Sequence, residues 1–309
     1  MTQTETDVYP TRGEAPAVPL ERRDPVLHGG PAATGPLTPQ QLQDYERDGF
    51  VFLEGLFDAP EVALLHTELE RLLGSEEVRQ SELSITEPSS GAIRSIFAAQ
   101  TVSEVFDRLS RDMRLTYVAR QLLHSEVYLH QTRVNFKPGF VGKEFYWHSD
   151  FETWHAEDGM PRMRAVSCSI TLTENNVLNG PLMLIPGSHR HFVPCVGHTP
   201  EDHYRMSLKR QEYGVPDQQT LRALAEANGI AAPTGPAGSV LFFECNVLHG
   251  SNGNITPYPR SNAFFVYNSV ENALEAPFAA EKPRPWFLAN RDATAIAPSV
   301  SDSAVLAEA

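Results

Sequence analysis

Trp147-His148-Ser149-Asp150 is the stretch on which the reading of this chain turns. In an extended strand alternate side chains share a side, so His148 and Asp150 project together. A lone His-x-Asp recurs by chance, and a third ligand is needed from elsewhere. His249, in Leu248-His249-Gly250-Ser251 just after the apolar run Val240–Phe243, offers it. Two imidazoles and one carboxylate on one face of an octahedral ion are the ligand set of non-haem Fe(2+) oxygenases, and they leave three positions open. Arg260, eleven positions past His249, brings a guanidinium fork that matches a carboxylate and suits the remote end of 2-oxoglutarate. Alone, Arg260 reads as a surface ion-pair residue; the four positions together carry the signal. The same ligands can hold Zn²⁺ for hydrolysis, but no HExxH helix accompanies them.

Outward from this motif the texture is β. Strand candidates are Val127–Lys137, Arg164–Thr173, Leu182–Ile185, Ser239–Glu244 and Asn262–Val270, separated by Gly, Pro and Asn. Helices come earlier. Thr38, Pro39 and Gln41 form a capping box for a helix that stops at Gly49, and Phe50–Leu53 is a short strand. Asp58–Leu73 has Val62, Leu65 and Leu69 on one face, and a further helical stretch runs over Val102–Leu123. The order predicts one α+β domain over residues 37–294, a double-stranded β-helix (jelly-roll, cupin-like) barrel with flanking N-terminal helices. Residues 1–36 and 295–309 lack apolar periodicity and are expected as a flexible arm and a flexible tail. Residues 194–236 interrupt the strands as an insertion, read equally as a lid or a surface excursion, with a helix over Asp217–Asn228. In Val127–Lys137, Gln131, Arg133, Asn135 and Lys137 share one face. That face is either a solvated exterior or a polar interior, and periodicity does not separate the two.

Composition narrows the partners. A formal charge of −14 disfavours nucleic acid and anionic lipid, and no apolar run is long enough to cross a bilayer. The opening residues Met1–Glu5 show no export signal, and Cys168, Cys195 and Cys245 form no CxxC pair and are odd in number. Reduced thiols in a cytoplasmic protein are the expectation.

The run Phe145-Tyr146-Trp147-His148-Ser149-Asp150-Phe151-Glu152-Thr153-Trp154-His155-Ala156-Glu157-Asp158-Gly159-Met160-Pro161-Arg162 closely resembles the signature stretch of ectoine hydroxylases, within the phytanoyl-CoA dioxygenase superfamily. The resemblance extends through Asn175-Asn176, Gly180-Pro181-Leu182, Pro186-Gly187-Ser188-His189 and His249-Gly250-Ser251, and spans roughly Thr38 to Arg291. It implies a jelly-roll oxygenase, commonly a homodimer, that uses Fe(2+), 2-oxoglutarate and O2 to convert ectoine to 5-hydroxyectoine. By motif, His148, Asp150 and His249 would hold iron, and Lys137, Asn135, Ser251 and Arg260 would hold 2-oxoglutarate. Gln131 and Trp154 would contact ectoine, with Thr153, Phe243, Asn262 and Phe264 as further lining. Related halogenases lack the carboxylate at the place of Asp150, so its presence favours hydroxylation. The other classes weighed are a zinc hydrolase, a non-catalytic cupin-like binding protein, and a relative acting on another small amino acid or an acyl-CoA.

Overall fold

Thr38 sets where the helical part begins. In the computed structural model, which describes residues 7–86, 91, 93–200 and 214–300, its hydroxyl accepts from the Gln41 N–H while Gln41 Oε1 accepts from the Thr38 N–H. The helix so capped, α1 (Pro39–Asp48), buries Leu42 and Tyr45 and ends at Gly49, whose φ of 84° is a left-handed turn. Asp58 and Glu61 form the same reciprocal cap for α2 (Ala59–Gly74). The short α3 spans Glu76–Gln80. The helical stretch expected over Val102–Leu123 is two helices, α4 (Glu104–Ser110) and α5 (Met113–Leu123). Asp112 divides them, because its carboxylate accepts from the Arg114 N–H and starts a new helix.

The described residues hold twelve strands, in chain order β1 (Leu20–Glu21), β2 (Phe50–Leu53), β3 (Ser84–Thr86), β4 (Ile93–Phe97), β5 (Val127–Lys137), β6 (Phe145–His148), β7 (Ala165–Thr171), β8 (Leu182–Leu184), β9 (His191–Phe192), β10 (Val240–Glu244), β11 (His249–Ser251) and β12 (Arg260–Ser269). The large sheet runs β2-β10-β7-β12-β5-β4-β3, and a small one runs β6-β11-β8; all their pairings are antiparallel. Alternation gives the large sheet two chemically different faces. Ile170, Phe242, Phe265 and Tyr267 face α5 and the other helices in the main core. Leu241, Phe243 and Phe264 face the small sheet and pack on Leu184. The α+β class and the two-layer β-helix arrangement are as expected, but ten of the described strands form two facing sheets that do not close into one hydrogen-bonded barrel, and β1 and β9 pair apart from both.

The N-terminal arm departs from expectation. Its described part, residues 7–36, is anchored at several points: Tyr9 is fully buried against Phe151 and Phe192, and β1 pairs with β9. One aromatic and a few isolated anchors hold it, and such anchoring leaves no periodicity to detect. The tail departs likewise, since Ile296 N–H donates to the Val127 carbonyl and Met113 N–H to that of Ser299. Residues 301–309 are outside the described part. In the insertion, the helix expected over Asp217–Asn228 is α7 (Gln218–Asn228), with Asp217 as its cap. Residues 201–213 lie outside the described residues, and the reading as a lid lies there with them. Among the described residues no helix is long and apolar enough to cross a membrane.

Candidate metal centre

His148 and Asp150 straddle a junction. His148 ends β6, Ser149 is extended (φ −105°, ψ 131°), and Asp150 opens the single-turn α6 (Asp150–Thr153) capped by the Ser149 hydroxyl. The expectation of one continuous strand is therefore corrected. Its geometric consequence survives, because an extended Ser149 still sends the two neighbours to one side. Pairing of β11 with β6 sets His249 directly opposite His148. His148 Nε2 lies 3.6 Å from Asp150 Oδ1, and His249 Nε2 lies 3.8 Å from Asp150 Oδ2. One ligand atom from each of the three residues falls within 4.8 Å of the others.

The tautomers suit a metal. His148 Nδ1 is 2.7 Å from the Tyr146 carbonyl, and His249 Nδ1 is 3.0 Å from that of Val247. A ring nitrogen facing a carbonyl must donate, so in the neutral ring each Nε2 has its lone pair free for the centre. Burial, reinforced by the neighbouring His148, pulls His249 down to about 4 and keeps it neutral. Burial alone would raise Asp150, but His249, His148 and Arg133 overcome it and hold the carboxyl ionised. Ser167 donates to Asp150 Oδ2 at 3.3 Å. Two imidazoles and one carboxylate, each oriented by an outer partner, fit a divalent first-row metal.

A cavity opens from this centre, lined by Gln131, Asn135, Thr153, Trp154, Ser251, Arg260 and Phe264 among the expected residues. The polar face of β5 is thus interior; Gln131, Asn135 and Lys137 are all buried. At one end β12 sets Arg260 opposite Lys137. Arg260 is 4% exposed, its Nε has no hydrogen-bond partner, and no ion pair to it occurs among the described residues. Burial alone pulls its guanidinium down to about 10. Toward the other end of β5, Gln131 donates to the Leu288 carbonyl at 2.8 Å, which leaves its side-chain oxygen for the cavity. Trp154 opens a five-residue π turn, Trp154–Asp158, a distortion that often marks functional sites.

Three expected residues sit behind the wall instead of in it. Lys137 Nζ donates to Ser251 Oγ at 2.9 Å and to the Asn252 carbonyl. Phe243 packs edge-on to the His249 ring, with centroids 5.0 Å apart, and Asn262 donates to Ser169 Oγ at 3.2 Å. Neighbouring residues in a strand face opposite sides, but depth within a layer is invisible to that alternation. The cavity also takes residues not singled out as site residues: Ser95, Arg133, Glu157 and Arg284. Arg133 shares the polar face of β5, which was its only signal. Arg284, gripped by Asp158 at 2.7 and 2.6 Å, comes from a loop with no pattern to read. Burial lowers Arg133 and raises Glu157 from their ordinary ranges.

Residues 45–262 match the family model of phytanoyl-CoA dioxygenase (PhyH). An ectoine dioxygenase of Sphingopyxis alaskensis is 56% identical over 285 residues, 92% of this chain and 93% of that protein. An ectoine dioxygenase of Halomonas elongata is also 56% identical, over 94% of this chain and 88% of that protein. The crystal structure of EctD from S. alaskensis with 2-oxoglutarate and 5-hydroxyectoine superposes with a TM-score of 0.88 at 50% identity, covering 96% of this chain and all of that one. The same enzyme with bound Fe gives a TM-score of 0.87. Sequence, fold and the conjunction of two histidines with one aspartate agree, and the chain belongs to the phytanoyl-CoA dioxygenase family, among the ectoine dioxygenases.

Proposed function

We propose that this chain is an Fe(2+)- and 2-oxoglutarate-dependent dioxygenase that hydroxylates ectoine to 5-hydroxyectoine, with succinate and CO2 as co-products. The observation that carries it is the pairing of a three-ligand centre with a buried, unpaired Arg260 across one cavity. Nε2 of His148, Nε2 of His249 and the Asp150 carboxylate would hold the ion. Bound there, ferrous iron supplies the redox chemistry by which O2 oxidises 2-oxoglutarate and one oxygen atom enters a C–H bond.

The protein's own residues bind and orient. Arg260 takes the far carboxylate of 2-oxoglutarate, which the chain otherwise leaves without a partner. Ser251 and Asn135 offer hydroxyl and amide groups beside it; Lys137 acts through Ser251, contributing positive charge from behind. Arg133 lies four residues along β5 from Lys137, about 13 Å at the rise of a strand, so the cavity has a second cationic region for the ectoine carboxylate. The delocalised cation of the ectoine ring is met by the Trp154 face and the Gln131 oxygen. Enclosure by Phe264 and Thr153 excludes water from the reacting carbon.

The wider setting is part of the proposal: a cytoplasmic homodimer in compatible-solute synthesis under osmotic or heat stress, organised as one oxygenase domain over 37–294. Three buried free thiols, Cys168, Cys195 and Cys245, support a reducing compartment. The deciding experiment incubates purified protein with Fe2+, 2-oxoglutarate, air and ectoine. The expected product is heavier than ectoine by one oxygen, with succinate formed in step. Hydrolysis under argon without 2-oxoglutarate would point to zinc chemistry, and binding without turnover to a cupin-like binder.

A further inference from the structure

We infer that Arg12 is a positioning residue for the substrate end of the cavity: it reaches in from the N-terminal segment, clamps Glu152 and Glu157, and so fixes the turn that presents Thr153 and Trp154. The inference rests on the reading of Trp154 as a substrate contact and adds to it a determinant outside the expected oxygenase domain.

The clamp is bidentate and buried. Arg12 Nε donates to Glu152 Oε1 at 2.7 Å and Nη2 to Glu152 Oε2 at 2.9 Å. The same Nη2 donates to Glu157 Oε1 at 3.1 Å. The two carboxylates bracket Thr153 and Trp154 in sequence, and Glu157 itself lines the cavity. Without the guanidinium, the two buried carboxylates would lose the donor atom they share, leaving Glu152 with the Thr11 hydroxyl and Glu157 with the charge of Arg284, and the turn between them would relax. Thr11 Oγ1 also donates to Glu152 Oε1, at 2.7 Å, so two adjacent residues of the N-terminal segment hold the same carboxylate. The backbone accepts strain to make this reach: Arg12 has a φ of 60°, in the left-handed region that a non-glycine residue occupies at a cost. Its N–H is held by the Cys195 carbonyl at 2.9 Å. Gly214, with a φ of +68°, approaches so closely that a Cβ there would lie 2.7 Å from Glu152 Oε2, 2.9 Å from Arg12 Nη2 and 3.1 Å from Thr153 Oγ1. Two separate segments of chain therefore converge on this one turn.

The test uses a W147F/W286F background, which leaves Trp154 as the sole tryptophan of three. Acrylamide quenching then reports Trp154 directly, and steady-state assays report the KM for ectoine and for 2-oxoglutarate and the ratio of succinate to hydroxylated product. For Arg12→Gln the expectation is quenching raised about threefold, KM for ectoine raised about tenfold with that for 2-oxoglutarate within about twofold, and succinate in excess of product. Arg22→Gln breaks a different buried pair, Arg22–Glu244 at 2.9 Å, and should lower the melting temperature without exposing Trp154. Should Arg12→Gln fail to fold, Arg12→Lys, which keeps the charge but not the fork, carries the same measurements with the same direction expected. A folded Arg12 variant with Trp154 still protected, or with both KM values rising together, overturns the inference. If the parent protein does not act on ectoine, the functional reading falls, while the quenching comparison still judges the clamp.

Discussion

A guanidinium at 4% exposure with no anionic partner among the described residues is an expensive thing to bury, and Arg260 is one. Its cost is recovered when a carboxylate arrives. Arg260→Gln is therefore expected to raise the KM for 2-oxoglutarate about 100-fold, equivalent to about 3 kcal/mol, and to abolish the thermal stabilisation that 2-oxoglutarate confers. The ligand-free variant should melt no lower than the parent, a result that distinguishes a binding residue from a structural one. Arg260→Lys should restore only part, since an ammonium lacks the fork. His189 supports a different prediction. Its Nε2 faces the Glu46 carbonyl at 3.2 Å and burial pulls it down to about 4. The unfolded chain takes up this proton near pH 6.5 and the folded chain resists until about pH 4. The stability that depends on neutral His189 is thus whole above pH 6.5 and is lost as pH falls toward 4, on the order of 3 kcal/mol. Denaturation of His189→Gln across that range should show a flatter profile.

At the level of elements, the sequence was readable wherever one residue dictates local geometry. Thr38 and Asp58 begin helices as reciprocal caps, and β5 has the expected bounds because apolar and polar side chains alternate along it. Local geometry does not say what lies across a face. That Gln131 and Asn135 point inward follows from helices covering the opposite face, and helix–sheet packing is written in no single strand. The same limit hid β11: three residues become a strand only by pairing with β6 and β8. The covered face also sets stability. Phe265 is fully buried between the central strands and the helices, so Phe265→Ala should cost about 3–5 kcal/mol in chemical denaturation while leaving the KM for 2-oxoglutarate near that of the parent.

For the whole molecule, the centre was legible because its chemistry needs specific residue types at a specific spacing. His148, Asp150 and His249 could be assembled from the sequence, although Ser149 turns out to link a strand to a helix. The far end of the cavity was only partly legible. Arg284 and Glu157 enter through a loop and a π turn, where no repeat marks the inward side. The anchored N-terminal segment escaped for a related reason: Tyr9 and Arg12 gain their burial from residues more than a hundred positions away. What unites these parts is a single ion shared by three side chains beside a waiting guanidinium. Anaerobic calorimetry of the metal-free protein, titrated with Fe2+ and then with 2-oxoglutarate, addresses that directly. One ferrous ion per chain is expected, with binding lost in Asp150→Ala and His249→Ala, and with 2-oxoglutarate binding lost but iron retained in Arg260→Gln. Iron bound by Asp150→Ala and His249→Ala as tightly as by the parent would contradict the account.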